Sequence, residues 1–115
     1  MPDAINGAVR LHYESFGVAD RPAMLLINGW GSQLLSYPEA FCEALVARGL
    51  WVTRFDNRDA GLSTHLDGVD ARVGDVIRAR RAGAEPSPPY TLADMAEDAR
   101  AVLDALGAQR AHVVG

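Results

Sequence analysis

The sequence predicts an α/β protein, a mostly parallel sheet opened by an N-terminal antiparallel hairpin, and three observations carry that prediction. Ala23–Ile27 is a continuous apolar run of the kind buried on both faces of a parallel sheet, Ala111–Val114 reads as a second buried strand, and Trp51–Phe55 reads as the strand between them. Between them lie stretches with helical spacing of apolar residues, so strands and helices alternate as in βαβ units. Ahead of them, Val9, Leu11 and Tyr13 alternate with Arg10, His12 and Glu14, the pattern of a strand with one wet face.

Each element has a local reason. Asn6-Gly7 tolerates the positive φ of a type I′ turn and predicts a hairpin into the alternating strand. Gly17 to Pro22 is a polar loop, and the Ala23–Ile27 strand breaks at Asn28-Gly29-Trp30-Gly31-Ser32. Ser36-x-x-Glu39 reads as a capping box with Pro38 in the first turn, followed by Tyr37, Phe41, Ala44, Leu45 and Arg48 at helical spacing and a stop at Gly49. The next strand runs into Asp56-Asn57-Arg58-Asp59-Ala60-Gly61-Leu62-Ser63, a polar turn richer than a connector needs. Leu66 to Pro89 has no sustained period and reads as an excursion with one or two helical turns around Asp75 to Arg81. Thr91-x-x-Asp94 then opens a helix with the stripe Leu92, Met95, Ala96, Ala99, Val102, Leu103, Leu106, closed by Gly107. There are no internal repeats and no linker.

Composition narrows the function. A chain of 115 residues with 49% apolar and 23% charged residues has the make-up of one globular domain. Its net charge of −4 opposes nucleic-acid capture, and Arg78, Arg80 and Arg81 read as a solvated face. Cys42 is a lone cysteine within a helical pattern, expected to pack rather than react, and it fits a reducing compartment. Met1 to Gly7 lacks a signal-peptide pattern and no apolar run approaches membrane-spanning length, so a soluble cytoplasmic protein with no membrane partner is expected.

In parallel sheets chemistry gathers beyond the carboxyl ends of the strands. Here those ends are Asn28–Ser32, Asp56–Ser63 and Gly115, which places the unusual sequences of the chain on one edge. Gly29-Trp30-Gly31 is a poor phosphate cradle: a dinucleotide fingerprint needs glycine where Leu34 stands, and a P-loop needs Lys, which is absent. The loop reads equally as a tight turn or as an oxyanion hole, in which a freed backbone N–H faces developing negative charge. Asp56, Asp59 and His65 match no metal-ligand spacing; a structural turn is expected, with carboxylates accepting backbone N–H groups and Arg58 tying neighbouring loops. His12, His65 and His112 lack a nearby Ser or Cys and read as incidental. No cofactor and no metal are expected.

Three segments carry a family resemblance: Leu25-Leu26-Ile27-Asn28-Gly29-Trp30-Gly31-Ser32-Gln33, then Asp56-Asn57-Arg58-Asp59-Ala60-Gly61-Leu62-Ser63-Thr64, then Tyr90-Thr91-Leu92-Ala93-Asp94-Met95 leading to His112-Val113-Val114-Gly115. In order and spacing the chain resembles the N-terminal part of an α/β-hydrolase-fold protein, in the subgroup typified by aclacinomycin methylesterase. The resemblance implies a serine nucleophile in a G-x-S-x-G elbow, a histidine base and an acidic residue that orients it. It implies that residues 1–115 are the N-terminal half of the hydrolase domain, ending at Gly115 as the first elbow glycine, with the triad outside the chain and the fragment itself inactive. It places one oxyanion donor on the backbone N–H of Trp30, with Gly29 and Trp30 against a small-molecule acyl substrate. Many relatives carry His where this chain has Asn28, and Ser63 closes the turn as a structural serine. The expected function is hydrolysis of carboxylic esters or similar acyl substrates. The alternatives are a dehalogenase, epoxide hydrolase or cofactor-free haloperoxidase of the same fold, a small nucleotide- or ligand-binding α/β domain, or a non-catalytic scaffold.

Overall fold

A computed structural model describes residues 2–29, 32–65, 77–78, 80–83 and 90–115. Strands β1 (Asp3–Asn6), β2 (Val9–Phe16), β3 (Ala23–Leu26), β4 (Trp51–Phe55) and β5 (Ala111–Val114) form one sheet in the order β1-β2-β4-β3-β5. The pairs β3–β4 and β3–β5 are parallel, whereas β1–β2 and β2–β4 are antiparallel. The expected hairpin and the expected parallel trio are both present. The hairpin turn differs in detail. Asn6 pairs with Val9, so the loop is Gly7-Ala8, and of these only Gly7 has positive φ, +60°. Glycine alone at the first loop position is the type II′ preference rather than type I′.

Side chains alternate across the sheet, so adjacent strand residues feed opposite layers. Leu11, Tyr13, Leu25 and Phe55 meet Val102 and Ala99 of α2 (Leu92–Leu106) on one face. Leu26 and Val52 meet Cys42 and Leu45 of α1 (Glu39–Ala47) on the other. Cys42 is fully buried, and burial pushes its thiol pKa up, in keeping with the inert packing expected of it. Among the described residues no helix is long and apolar enough to cross a membrane.

The helix starts contrast. At α2 the predicted capping box forms: the Thr91 hydroxyl accepts the Asp94 N–H (3.2 Å) and the Asp94 carboxylate accepts the Thr91 N–H (2.8 Å). Gly107 closes the helix in the left-handed region, at φ +74°. At α1 the predicted Ser36–Glu39 box does not form. Leu34–Ser36 winds into a 3₁₀ turn and Pro38 becomes the N-cap, with no side-chain cap. Tertiary bonds explain the difference, since the Tyr37 hydroxyl donates to Ile27 O (2.8 Å) and Tyr37 O accepts from Arg54 Nη1 (2.6 Å). These contacts hold the chain out of helical geometry for one further turn. Phe41, predicted to be in the apolar stripe, is 44% exposed.

His12 also departs from expectation. It is buried, not on a wet face, with Nδ1 3.5 Å from Asp3 Oδ1 and Nε2 3.8 Å from Glu14 Oε1. Its Nε2 atom has no hydrogen-bond partner among the described residues, whereas the neighbouring Arg54 is satisfied, lying over the Phe16 ring (5.1 Å) and donating to Glu14 at 2.6 Å. In the predicted excursion, Ile77, Arg78, Arg80 and Arg81 are helical, and the rest of residues 66–89 outside 77–78 and 80–83 lies outside the described residues.

The hydrogen bonds from Thr91, backbone first, hold the exposed Asp94 carboxyl below the ordinary aspartate value of 3.8. A depressed folded-state pKa stabilises at pH above the unfolded value, and that stabilisation disappears as pH falls through the folded value. The first turn of α2 is therefore expected to loosen only below the usual aspartate range. A carbon-detected titration of Asp94 with a midpoint at or above 3.8 would count against the cap.

Candidate functional site

The carboxyl edge of the sheet is assembled from β3, β4 and β5. Parallel pairing continues past β3, since Ile27 N–H donates to Val114 O (2.8 Å), and this sets Gly115 beside the start of the Asn28-Gly29 loop. Asn28 is buried and points its amide at the neighbouring strand end, with Nδ2 donating to Phe55 O (2.9 Å). In return Asn57 Nδ2 donates to Asn28 O (3.0 Å). The Asn28 Oδ1 atom is buried without a hydrogen-bond partner.

Asp56 organises the second loop. Its carboxylate, in a residue only 2% exposed, accepts the Leu34 N–H at Oδ1 (2.7 Å) and the Leu62 N–H at Oδ2 (3.0 Å). Ser63 Oγ donates to Asp56 O (2.6 Å) and accepts the His12 N–H (3.0 Å), the structural role expected of it. Asp59 takes positive φ (64°) at the tip, where its N–H donates to Thr64 O (2.7 Å).

Arg58 leaves this loop for α2. It donates to Asp98 twice, Nε to Oδ2 at 2.6 Å and Nη2 to Oδ1 at 2.8 Å, while Asn6 Nδ2 donates to the same Oδ1 at 2.7 Å. The guanidinium lies over the Tyr90 ring, 5.4 Å from its centroid. Hydrogen bonding to Asp98 raises the Arg58 pKa further above its usual value, so the group is a fixed cation. Arg58 thus ties the site loop to both α2 and the N-terminal hairpin.

Between the loops lies a cleft of about 350 Å³, whose wall includes Gly29, Gln33, Arg58, His65 and Tyr90. His65 Nε2 donates to Gly61 O (2.7 Å) and its Nδ1 stands 3.8 Å from Asp59 Oδ1, which places it on the rim. His12 and exposed His112 are elsewhere, on β2 and β5. Among the described residues no cluster of three or more His, Cys, Asp or Glu is arranged to hold a metal ion.

Of the two residues predicted to bind substrate, Gly29 borders the cleft, and Trp30, with its proposed oxyanion donor, lies outside the described residues. Gly29 does not have positive φ, and a Cβ there would meet nothing within 4 Å, so chain geometry does not require glycine at that position. Gly61 is the opposite case. It has φ +51°, and a Cβ there would collide with the Asp56 carboxylate. Gly61→Ala is expected to cost about 2 kcal/mol or more, from backbone strain and displacement of Asp56. Gly29→Ala should stay within about 0.5 kcal/mol. Urea midpoints of the two variants check both, and equal midpoints would refute the contrast.

Sequence reasoning missed Asp98 and the Asn28–Asn57 exchange. A signal for Asp98 existed: it falls between Met95, Ala99 and Val102, inside the apolar stripe of its helix, where an acid needs a buried cationic partner.

No family model matches the chain. It is 38% identical over 111 residues to rhodomycin D methylesterase DnrP of Streptomyces peucetius, covering 96% of this chain and 31% of that protein. Among solved structures it is similar to a hydrolase from Pseudomonas aeruginosa PA01, with TM-score 0.68 and 32% identity over 96% of this chain and 33% of the other. The enol-lactonase of Burkholderia xenovorans LB400 shares the fold, with TM-score 0.69 and 24% identity over 97% of this chain and 35% of that one. The chain spans about a third of the length of the relatives it matches.

Proposed function

From the premise that this chain has an α/β-hydrolase fold, which its sheet and its relatives give it, we propose that it contributes the N-terminal part, about a third, of a serine-nucleophile hydrolase of carboxylic esters or similar small acyl substrates. In this reading Gly115 is the first glycine of the nucleophile elbow, and the serine, base and acid lie in sequence that follows. The single observation that supports it best is the Ile27–Val114 bond, which brings the end of β5 to the loop leading into Trp30. A serine two residues beyond Gly115 would rise on the same edge as that loop.

The chemistry assigned to this chain is electrostatic. As the serine oxygen adds to the acyl carbon, the carbonyl oxygen gains negative charge, and the backbone N–H of Trp30 donates to it. Gly29 leaves room beside it for the acyl group. The similarity to a methylesterase favours an ester over other acyl compounds. The single buried Cys42 suits a reducing cytoplasm, and the acidic surface suits neither nucleic acid nor anionic membrane.

The test is the protein that carries this sequence together with its native continuation. It is expected to hydrolyse p-nitrophenyl acetate and to lose turnover when the serine of x-Ser-x-Gly after Gly115 is changed to alanine. An aspartate at that position would replace the reading with a dehalogenase or epoxide hydrolase. Saturable nucleotide binding by residues 1–115 alone would replace it with a binding domain.

A further inference from the structure

Arg58, on the turn after β4, is locked in position but leaves part of its guanidinium unused. Nε and Nη2 donate to Asp98 at 2.6 and 2.8 Å, and the Tyr90 ring packs against the group at 5.4 Å. A guanidinium has five N–H donors, and Nη1 carries two of them. Among the described residues, the polar side-chain atoms that are both buried and unpartnered are His12 Nε2 and Asn28 Oδ1. Nη1 bonds to neither Asp98 oxygen and is not one of these buried atoms, so it is open to solvent. The Arg58 side chain is 12% exposed and borders the cleft together with Gly29, Tyr90 and Met95, so the open arm is offered to the cleft.

We propose that Arg58 is a specificity-determining residue: its Nη1 donates to a neutral carbonyl oxygen carried on the acyl group that occupies the cleft. The proposal rests on the hydrolase reading and adds to it a substrate class, esters of keto acids. Size agrees, because about 350 Å³ is at the small end of ligand pockets and suits a short acyl chain. Gly29, on the same cleft, lies at the sheet edge where Gly115 ends β5. A planar donor already held by Asp98 and Tyr90 loses little freedom when it binds. Charge decides between a neutral and an anionic acceptor. Asp98 pairs with the guanidinium, Asp94 acts on it from the first turn of α2, and Asp59 borders the same cleft. A carboxylate on the substrate would meet all three, whereas a ketone keeps the hydrogen bond without that repulsion. The hydrocarbon part of the acyl chain has Met95 to rest against.

The experiment uses the full-length protein and p-nitrophenyl esters of a γ-keto and a δ-keto straight-chain acid. Each is compared with the counterpart that has C=CH₂ in place of C=O, after the uncatalysed rate is subtracted. The better keto ester is expected to exceed its counterpart about 10-fold to 100-fold in kcat/KM, the range for a hydrogen bond to a charged group. A ratio within about twofold for both pairs overturns the proposal. The p-nitrophenyl half-ester of adipic acid carries a carboxylate at similar reach and is expected to fall below the better keto ester; the reverse order overturns the neutral acceptor. Arg58→Lys keeps the charge facing Asp98 but has no second arm, so the keto preference is expected to fall to within about threefold. A preference kept at its parental size in that variant overturns the assignment to Arg58. The readout is a ratio of two substrates on one preparation, so it does not depend on how much of the variant folds. Should Arg58→Lys yield no folded protein, arginine side-chain NMR of the parent decides. The Arg58 Nη–H signals are expected to shift on adding a non-hydrolysable diketone of the same length, and unmoved signals overturn the proposal. Hydrolysis of none of the esters would remove the hydrolase reading itself, whereas equal hydrolysis of keto and methylene esters removes only the role of Arg58.

Discussion

Trp30→Pro in the full-length protein is expected to lower kcat about 10²-fold to 10³-fold, the cost of deleting the oxyanion donor proposed at that position. Proline has no N–H, so the change removes the donor outright. Trp30→Ala keeps the N–H and removes only the indole, and its loss should be at least ten times smaller by the same reasoning. Steady-state kinetics on a p-nitrophenyl ester measures both. Equal losses would move the role from the amide to the indole, and no loss from proline would remove residue 30 from the chemistry altogether. Proline also fixes φ, so the comparison needs a folding control, and a melting temperature within a few degrees of the parent provides it.

The largest stability effect is expected at Asp98. It is 1% exposed and receives three hydrogen bonds, two from Arg58 and one from Asn6. Asp98→Ala leaves a cation whose side chain is 12% exposed without its counter-charge, and an orphaned amide beside it. Breaking one side of a buried pair costs about 3–5 kcal/mol, a large part of the roughly 5–15 kcal/mol that holds a domain together. Desolvation is already incurred in the parent, so the penalty comes from the unpaired charge more than from the lost attraction. Removing both charges, as Arg58→Met with Asp98→Leu, should therefore recover part of the loss. Denaturant unfolding of the single and double variants measures this. A single-variant cost below about 1 kcal/mol would mean that Arg58 finds water or another partner.

Much of the fold follows from short-range pattern. The strands β3 and β4 and the Thr91–Asp94 cap are each contained within a few residues and form as read, whereas β5, read as a buried strand, leaves Val113 58% and Val114 39% exposed, and the face of β2 read as wet buries His12. The convergence of Asn28-Gly29, Asp56–Ser63 and Gly115 on one edge also follows, because parallel strands joined by crossovers end on the same side. Even the structural character of the Asp56 turn was legible, from its concentration of residues that bond to backbone.

Which partner each polar group takes was decided only in three dimensions. Ser36 and Glu39 have the spacing of a capping box, yet Tyr37 is drawn to Ile27 and Arg54 and the box gives way. His12 alternates like a surface residue but is enclosed by Asp3 and Glu14. Arg58 and Asp98 are 40 residues apart, Asn28 and Asn57 are 29, and Leu34 and Asp56 are 22. Helical and strand periods report only which face a residue occupies. A hydrogen bond needs its two atoms within about 3 Å, and across such separations only the packed sheet and helices bring them that close.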